Sequence, residues 1–331
     1  MSILVTGIAG FIGSHVARVL LERGEQIIGI DNFSDYYDVN LKKNRLKGLE
    51  NFDNFTFHNV DISNIVAVEN IYKKYDFNKV CHLAAQAGVR YSLEAPMEYI
   101  NTNIVGHTNI LECCRNYNVK NIVYASSSSV YGGNTKVPFS VKDRVDNPVS
   151  LYAATKRADE LISYTYHHLY DLNTIGLRFF TVYGPWGRPD MALFIFTKNI
   201  LNKKKIEIFN YGKHFRDFTY VDDIVEGIIK ICSKKFPKKN IKNNPSESDC
   251  PFRILNIGNN NPIPLNKYIL CLEKELKIKA IKKYKPLQPG DIMKTNASIK
   301  KIKNLYKYKP KVRIEEGIRN FVRWYKKYYN V

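Results

Sequence analysis

The sequence lacks the features that mark membrane, disulfide-bonded and disordered proteins. None of its apolar runs approaches the roughly 20 residues that a membrane-spanning helix needs. Its six cysteines form no CxxC pair and no disulfide-framework spacing, so we expect reduced thiols and no metal site. With only 18 Gly and 13 Pro among 331 residues, collagen-like and mucin-like chains are excluded. The start, MSILVTGIAGFIG, lacks the charged segment and cleavage site of a signal peptide, so we expect a cytoplasmic protein.

Acidic residues are scarce relative to basic ones: 31 Asp and Glu stand against 51 Lys and Arg, a formal net charge of +20. A nucleic-acid-binding protein normally concentrates such charge in one stripe with interleaved aromatic residues. Here the basic clusters are scattered along the chain, at 203–205, 234–242 and 277–311. We therefore expect a solvated basic surface and no nucleic-acid partner, although a positive field can help to capture an anionic small substrate.

Apolar residues, in contrast, make up 44% of the chain, enough for one large domain or two closely packed ones. Short apolar runs alternate with segments long enough for a helix, which predicts an α/β fold with a doubly wound parallel sheet of the Rossmann type. The predicted strands are 2–6, 26–30, 55–60, 80–83, 121–125, 174–177 and 253–257. The predicted helices are 12–23, 102–117, 150–170 and one whose apolar face spans 314–325, while the polar stretch 234–251 predicts an exposed loop.

A glycine-rich turn, with Gly7, Gly10 and Gly13, links the first strand to the first helix. Such a turn lets the backbone approach a pyrophosphate at the helix N-terminus, although close packing alone also explains these glycines. Asp31 strengthens the cofactor interpretation, because a carboxylate ending the second strand accepts both hydroxyls of an adenosine ribose and repels a 2′-phosphate. The sequence therefore predicts NAD rather than NADP. Asp61, which ends the third strand, either meets the adenine edge or is an ordinary turn carboxylate.

Tyr152 and Lys156 lie four residues apart in the predicted helix 150–170 and therefore share one of its faces. An ammonium beside a phenol favours the phenolate, which makes Tyr a workable base near neutral pH. The serine run 126–129 follows an apolar strand, at the sheet edge where ligand-facing residues belong. A chance Tyr-x3-Lys pair and a polar serine turn are the alternatives. Because Tyr152, Lys156 and the serine run occur together with a nucleotide-binding turn, the sequence predicts a catalytic constellation.

The strings TGIAGFIG, YAATK, LRFF and RDFTYVDDI resemble the extended short-chain dehydrogenase/reductase family along essentially the whole chain. DNFSDYYDVNLKKNRL, HLAAQAGVRYS and TVYGPWGRPDMA further resemble UDP-glucuronate 4-epimerases. The resemblance implies NAD-dependent 4-epimerisation of UDP-glucuronate to UDP-galacturonate through a transient 4-keto sugar, for polysaccharide biosynthesis. It implies an NAD-binding domain of residues 1–178, with returning segments near 217–258 and 315–331, and a smaller C-terminal UDP-sugar domain within 179–331, mainly 179–216 and 259–314. It also implies a homodimer formed through helices 102–117 and 150–170.

The resemblance assigns Tyr152 as the base, Lys156 as its electrostatic partner and NAD ribose ligand, and Ser127 as the hydroxyl on the 4′-oxygen, with Ser129 as the alternative. Sister dehydratases and the decarboxylase carry acidic residues directly before the VYG string, where this chain has Ser128 and Ser129. That difference argues against both of those reactions. The further cofactor contacts that the resemblance implies are Phe11, Ile12, Asn32, Ile62, Leu83, Ala84 and Ala85.

A 4-ketoglucuronate is a β-keto acid that tends to lose CO2, so the enzyme must hold its carboxylate out of line with the carbonyl π system. The resemblance places Arg188 and Thr181 near this carboxylate, where a guanidinium can grip it with two hydrogen bonds. The alternative is that Arg188 only anchors its Gly- and Pro-rich loop. Arg90 either reaches a phosphate or closes the site. The other substrate contacts implied by the resemblance are Ser128, Asn199, Phe209, Arg216, Gln288 and Asp291.

Two other functions are compatible with parts of this pattern. A neutral-sugar enzyme would act on UDP-glucose or a UDP-N-acetylhexosamine, whereas Arg188 favours a uronate. A non-catalytic NAD-binding regulator is a distant alternative, against which the intact set of Tyr152, Lys156 and Ser127 argues.

Overall fold

The first two strands of the chain, SILVT and IIGID, are short and mostly apolar, as expected for strands that helices cover on both faces. In the computed structural model, residues 1–234, 252–288 and 292–331 are described. The strands are β1 (Ser2–Thr6), β2 (Ile27–Asp31), β3 (Phe55–Asn59), β4 (Phe77–His82), β5 (Asn121–Ser127), β6 (Asn173–Phe179), β7 (Thr181–Tyr183), β8 (Lys205–Ile208), β9 (Phe215–Tyr220), β10 (Phe252–Ile257), β11 (Pro262–Pro264) and β12 (Ile281–Tyr284).

Seven of these strands form one parallel sheet in the order β10-β6-β5-β4-β1-β2-β3, so the predicted doubly wound fold is confirmed. The strand order reverses at β1, which pairs with β2 on one side and β4 on the other. In open sheets of this kind, ligands bind outside the carboxyl ends of the strands at such a reversal. The glycine turn follows β1 and therefore lies at that place.

Twelve α-helices cover and extend the sheets in the part of the chain that the structure describes. They are α1 (Phe11–Glu22), α2 (Val39–Lys47), α3 (Ile65–Lys74), α4 (Tyr91–Glu94), α5 (Pro96–Tyr99), α6 (Gly106–Asn116), α7 (Leu151–Tyr170), α8 (Ala192–Leu201), α9 (Val221–Ser233), α10 (Leu265–Leu276), α11 (Lys300–Tyr306) and α12 (Ile314–Tyr329). The predicted helix 102–117 is in fact a π-helical turn, Ile100–Val105, that continues into α6. Short 3₁₀ turns follow β5 and β8, at Ser128–Tyr131 and Phe209–Gly212.

Two hydrophobic cores flank the large sheet because successive side chains of a strand point to opposite faces. Ile3 and Val5 of β1 enter the core that also contains Val16 of α1. Leu4 enters the other core, with Ile110 of α6. Within the described ranges, no helix combines the length and the apolar character that crossing a membrane requires.

After β6 the chain turns to smaller sheets. β7 pairs in parallel with β9, and β11 completes this three-stranded sheet, while β8 and β12 form a parallel pair. Because β7 starts two residues after β6 ends, these sheets begin at the carboxyl edge of the large sheet. β10 then returns to the large sheet, where it pairs with β6. It includes the predicted strand 253–257.

Some sequence features fall outside the described residues. The predicted loop 234–251 does so except for Lys234, and it includes the sixth cysteine, Cys250. The other five cysteines carry free thiols. Four of these five are buried, as expected for cysteines in apolar segments: Cys81, Cys113, Cys114 and Cys232.

Candidate active site

The turn between β1 and α1 depends on residues without a side chain. Gly7 has φ +68°, and a Cβ there would lie 2.6 Å from the backbone nitrogen of Ala84. A Cβ at Gly13 would lie 2.1 Å from the Gly7 carbonyl oxygen. Gly10 occupies the N-cap position of α1 and makes no side-chain capping bond, so the first backbone N–H groups of α1 can meet a ligand. This cradle fits the pyrophosphate of NAD.

Asp31 lies beside this turn at the end of β2. Its Oδ2 accepts a hydrogen bond from the Ala9 N–H at 3.0 Å, and its Oδ1 accepts one from the Phe33 N–H at 2.9 Å. Burial raises the pKa of Asp31, although these bonds and the Lys42 ammonium act in the opposite direction. The backbone therefore fixes the carboxylate, and a carboxylate oxygen can accept a further hydrogen bond from a ribose hydroxyl.

Asp61 lies in the turn after β3, and its contacts are those of the turn alternative, while its adenine contact stays a prediction. Its Oδ1 accepts hydrogen bonds from the N–H and the hydroxyl of Ser63, at 2.8 and 2.7 Å. Its Oδ2 accepts one from the Asn32 side-chain amide at 2.9 Å. Burial alone raises the pKa of Asp61, but the bonds from Ser63 and Asn32 outweigh it, so the pKa lies below its usual value.

The remaining cofactor residues predicted from the resemblance lie near this sheet edge. Ile62 is buried next to Gly106, which begins α6. The Ala84 N–H donates to the Thr6 hydroxyl at 3.1 Å and so joins the chain after β4 to the end of β1. The other predicted residues lie at the start of α1 or directly after β4: Phe11, Ile12, Leu83 and Ala85.

α7 carries Tyr152 in its first turn and Lys156 in its second. Ser150 caps the helix, because its hydroxyl accepts a first-turn N–H at 3.1 Å. Tyr152 is half-buried and packs edge-on against Tyr99, with ring centroids 6.1 Å apart. Lys156 is buried, and its ammonium donates to Asp159 Oδ2 at 3.0 Å. The sequence reasoning overlooked Asp159, although its i+3 spacing from Lys156 is the signal that identifies such a pair.

The serine run joins the end of β5 to α7. The Ser126 hydroxyl donates to Glu160 Oε1 at 2.6 Å, and Glu160 also accepts two hydrogen bonds from Arg178, both at 2.8 Å. Ser127 is buried, and its oxygen accepts the Ser129 N–H at 3.1 Å. The Ser127 hydroxyl proton therefore remains able to donate to a substrate oxygen. Glu160 and Arg178 had no predicted role, and they hold the strand ends against the catalytic helix.

Buried polar side chains also join the π-helical turn to α7. Asn103 accepts the Gln86 N–H at 2.8 Å and donates to the Thr155 hydroxyl at 3.0 Å. His82, at the end of β4, is also buried, and its Nδ1 meets the Thr6 hydroxyl at 2.7 Å. Burial, and then the nearby Lys156 charge, lower the pKa of His82 to about 3, so this imidazole is neutral at physiological pH. Nothing in the local pattern around these residues predicts their pairing.

Two residues predicted separately for the substrate site lie together in the structure. The Arg90 guanidinium carbon lies 4.8 Å from the centroid of the Phe209 ring. Lys285, which the sequence reasoning overlooked, places its ammonium 5.8 Å from the same ring and pairs with Glu207 at 2.5 Å. That hydrogen bond from Lys285 holds the pKa of the Glu207 carboxyl below its usual value. Two cations, one of them paired with Glu207, therefore lie near the ring that the resemblance assigns to uracil binding.

The other predicted UDP contacts lie on neighbouring elements. Asn199 of α8 donates its side-chain amide to a backbone carbonyl at 3.3 Å. Arg216 of β9 donates to the carbonyl of the preceding residue at 3.3 Å. The side-chain oxygen of Gln288 is buried and has no hydrogen-bond partner among the described residues, and its predicted substrate contact stays a prediction. Asp291 lies outside the described residues.

Thr181 and Arg188 both line a small, largely apolar cavity, together with Gly187 and Met191 of the adjoining loop. The Arg188 guanidinium makes a two-pronged contact with Asp190, from Nε to Oδ1 at 3.0 Å and from Nη2 to Oδ2 at 2.5 Å. Arg188 therefore does anchor its own loop, the alternative that the sequence left open. Its predicted contact with a sugar carboxylate stays a prediction, and the Asp190 contact shows that this guanidinium engages carboxylates in fork geometry.

A parallel sheet with a glycine turn, a carboxylate ending β2 and a Tyr-x3-Lys pair beside a strand-end serine defines an NAD-dependent enzyme of the extended short-chain dehydrogenase/reductase type. The chain belongs to the NAD dependent epimerase/dehydratase family, whose sequence profile matches residues 3–244.

Individual relatives are similar over nearly the whole chain. UDP-glucuronate 4-epimerase 4 of Arabidopsis thaliana is 48% identical, over 100% of this chain and 76% of the relative. UDP-glucuronic acid 4-epimerase of Bacillus cereus, solved with UDP-glucuronic acid and NAD, has a TM-score of 0.89 and 33% identity, covering 99% of this chain and 100% of that one. UDP-glucose 4-epimerase of Thermotoga maritima, solved with UDP-glucose, has a TM-score of 0.86 and 31% identity, with the same coverage. The fold is therefore common to enzymes named for a charged and for a neutral sugar.

Proposed function

We propose that this chain, an NAD-dependent nucleotide-sugar 4-epimerase, interconverts UDP-glucuronate and UDP-galacturonate through a transient 4-keto sugar. The observation that carries the choice of a uronate is Arg188, whose guanidinium already holds a carboxylate, that of Asp190, in fork geometry. The 48% identity to a UDP-glucuronate 4-epimerase over the whole chain supports the same choice.

The residues around the glycine turn hold the cofactor in this proposal. Gly7, Gly10 and Gly13 leave room for the pyrophosphate, and Asp31 binds the adenosine ribose. When bound, NAD supplies a reversible hydride acceptor for the 4′ carbon. Residues 1–178, with 217–258 and 315–331, form the NAD-binding domain, and 179–216 with 259–314 bind the UDP-sugar.

Tyr152 moves the proton in this reaction. Its phenolate takes the proton of the 4′-hydroxyl as the ketone forms, and it returns a proton when the opposite epimer is made. The Lys156 ammonium stabilises the negative charge on the helix face that both residues share. Ser127 donates to the 4′-oxygen, with Ser129 as the alternative, and both lie where β5 ends beside α7.

Arg188 and Thr181 keep the 4-keto sugar intact. Loss of CO2 requires that the bond to the carboxylate align with the carbonyl π system. A planar guanidinium and a hydroxyl hold the carboxylate in another orientation. Asp190 already occupies one fork of Arg188, so a substrate carboxylate must bind the remaining donors or displace Asp190.

The second candidate is an epimerase of neutral sugars, which the similarity to the Thermotoga maritima enzyme favours. The test is to incubate the purified protein with UDP-glucuronate, UDP-glucose and UDP-N-acetylglucosamine separately and to identify the products by chromatography and mass spectrometry. We expect UDP-galacturonate from the first sugar at the highest kcat/KM. A preference for either neutral sugar would contradict the proposed substrate.

We also propose that two copies associate through α6 and α7. Leu161, Tyr164 and Leu169 of α7 are large apolar side chains that the single chain leaves exposed. Burial of such a patch is the usual reason for its presence. Light scattering during gel filtration should give twice the monomer mass of 38.3 kDa, and Leu161→Glu should reduce that mass to one copy.

A further inference from the structure

The loop that carries Arg188 is held from the NAD-binding half of the chain by one buried guanidinium. Arg45 of α2 donates from Nε and Nη2 to the Trp186 carbonyl, at 3.0 and 2.7 Å, and from Nη2 to the Gly187 carbonyl at 3.2 Å. The same guanidinium donates from Nη1 to the carbonyl of Ala9, in the glycine turn, at 3.1 Å. Arg45 therefore joins the cofactor turn to the backbone directly before Arg188.

A second contact from the same part of the chain reaches the side chain of the loop. The Tyr36 hydroxyl donates to Asp190 Oδ2 at 3.1 Å, on the carboxylate that grips Arg188. Burial, followed by the nearby Asp190, raises the pKa of Tyr36 to about 12, so the phenol keeps its proton and donates. The Tyr36 ring packs on Tyr91 with centroids 4.6 Å apart, which fixes the position of the hydroxyl.

The surroundings of Tyr36 and Arg45 are built to hold these two side chains. A Cβ at Gly88 would lie 2.5 Å from the Tyr36 hydroxyl oxygen, so the glycine leaves the space that the phenol occupies. The Tyr37 hydroxyl accepts from Arg45 Nη1 at 2.7 Å, and the Lys42 ammonium lies 4.4 Å from the Tyr37 ring centroid. Two residues contact the loop directly, Tyr36 and Arg45, whereas Tyr37 contacts Arg45 and Lys42 lies over Tyr37. All four lie in the 33–46 segment, which begins two residues after Asp31.

We propose that Tyr36 and Arg45 are positioning residues that determine specificity for a uronate, because they hold the 186–190 loop so that Arg188 is presented to the carboxylate of the substrate. This inference rests on the proposed function of Arg188. Neither residue contacts the sugar; Arg45 fixes the loop backbone, and Tyr36 fixes Asp190 and through it the guanidinium. Because Arg45 also contacts the glycine turn, the loop keeps one position relative to the bound cofactor.

Tyr36→Phe tests the proposal by removing one hydroxyl and leaving the ring. The NAD-loaded variant is titrated with UDP-glucuronate and with UDP-glucose by calorimetry, and its products from UDP-glucuronate are analysed by mass spectrometry. We expect UDP-glucuronate to bind about tenfold more weakly, as for one lost hydrogen bond to a charged group, and UDP-glucose to bind unchanged. The matched control is Tyr117→Phe, which removes a phenol that donates to Glu69 at 3.0 Å far from this loop.

A less firmly held guanidinium should also let some turnovers end in loss of CO2. In that event the C5′–C6′ bond of the 4-keto sugar breaks, CO2 leaves and C5′ takes a proton. The hydride removed from C4′ stays on the cofactor, so each event yields one UDP-4-keto-pentose and one NADH. Mass spectrometry and absorbance should therefore detect both products from Tyr36→Phe and neither from Tyr117→Phe.

Arg45→Lys keeps the charge but not the fork, and it should shift the preference between the two sugars in the same direction. Its control is Arg18→Lys, where the native guanidinium donates to the Gly48 carbonyl at 3.3 Å and is exposed. If Arg45→Lys does not fold, Tyr36→Phe still decides the question.

The outcomes separate this inference from the function on which it rests. If the wild-type protein does not epimerise UDP-glucuronate, the proposed function is wrong and the inference fails with it. If the wild-type protein does so, the inference is overturned when Tyr36→Phe binds both sugars as the wild type does. It is also overturned when affinity for both sugars falls equally, because a general structural role would have that effect.

Discussion

The glycine turn at residues 7–13 and the loop at residues 184–191 are held in different ways. The turn depends first on close backbone approaches that only glycine allows, since a Cβ at Gly13 would meet the Gly7 carbonyl at 2.1 Å, although Asp31 and Arg45 also contact Ala9. The loop keeps its shape through side chains from far along the chain: Arg45 contacts Trp186, 141 residues away, and Tyr36 contacts Asp190, 154 residues away. A cofactor site of this kind is visible in local spacing, whereas a substrate loop of this kind is visible only in the folded chain.

The largest expected effect comes from a residue that lies outside both the glycine turn and the loop. Tyr152→Phe removes the group that moves the proton and keeps the ring that packs on Tyr99. Turnover of UDP-glucuronate should fall by about 10²–10⁴-fold, as for the loss of a general base. NAD content and melting temperature should match those of the wild type, and Tyr170→Phe, at the other end of α7, should leave kcat unchanged. Near-normal kcat in Tyr152→Phe would show that another group takes the proton.

The next largest effect comes from a substitution that weakens cofactor binding and leaves the substrate loop unchanged. Asp31→Asn weakens the ribose contacts, and the amide cannot reproduce the backbone bonds that both carboxylate oxygens accept. Affinity for NAD should fall by about 1.5–3 kcal/mol, measured by calorimetry on protein stripped of cofactor. Asp35→Asn, an exposed carboxylate in the same segment, is the control. Equal affinity of the wild type for NAD and NADP would contradict the assigned role.

Much of the fold and the cofactor site was predictable because both depend on local rules. Strands β1 and β3 start where the apolar runs predicted, and α7 starts at Leu151, one residue from the predicted start at residue 150. Asp31 was identifiable because a strand end and a glycine turn have a fixed spacing. The one misassigned helix, at Ile100–Val105, has a π-helical turn from which Asn103 reaches both Gln86 and Thr155, and no sequence period signals it.

The substrate half was less predictable because its contacts join distant parts of the chain. Phe209 and Arg90 were each identified from the resemblance, but only the fold brings them to 4.8 Å and adds Lys285. Arg188 was identified as a carboxylate ligand, and its partner in the structure, Asp190, stands two residues away in the same loop. The two-residue spacing of Arg188 and Asp190 suggests an ion pair, but it does not show whether Asp190 competes with the substrate carboxylate for Arg188.

A substitution in the 184–191 loop should weaken substrate binding and leave the cofactor site unchanged. Arg188→Lys keeps a positive charge but loses the planar fork, so UDP-glucuronate should bind about tenfold more weakly. UDP-glucose should be much less affected, because it has no carboxylate to lose its partner, and NAD affinity should be unchanged. Calorimetry with the two sugars measures this, and mass spectrometry should detect UDP-4-keto-pentose. Unchanged binding of UDP-glucuronate without any pentose would mean that Arg188 is a loop anchor only.

The last expected change concerns stability rather than activity, and a single proton in the buried pair Lys156–Asp159. Burial raises the pKa of Asp159 to about 7, and the Lys156 charge offsets only part of this rise. The folded chain therefore keeps a proton on Asp159 at pH values where the unfolded chain, with a pKa near 3.9, has lost it. When the folded state binds more protons, the free energy of unfolding falls as the pH rises.

Asp159→Asn removes this ionisable group, so a comparison of the variant with the wild type reveals how the group changes stability with pH. Between about pH 4 and pH 7, the free energy of unfolding of the wild type should decline relative to that of the variant, by no more than about 1.4 kcal/mol per pH unit because one proton is involved. Urea unfolding at a series of pH values measures the difference, and Asp53→Asn, at an exposed turn, should show no such trend. A difference that is flat or grows in favour of the wild type would mean that Lys156 keeps Asp159 ionised throughout. In that case the pair would be a permanent ion pair within α7, as Arg188 and Asp190 are within their loop.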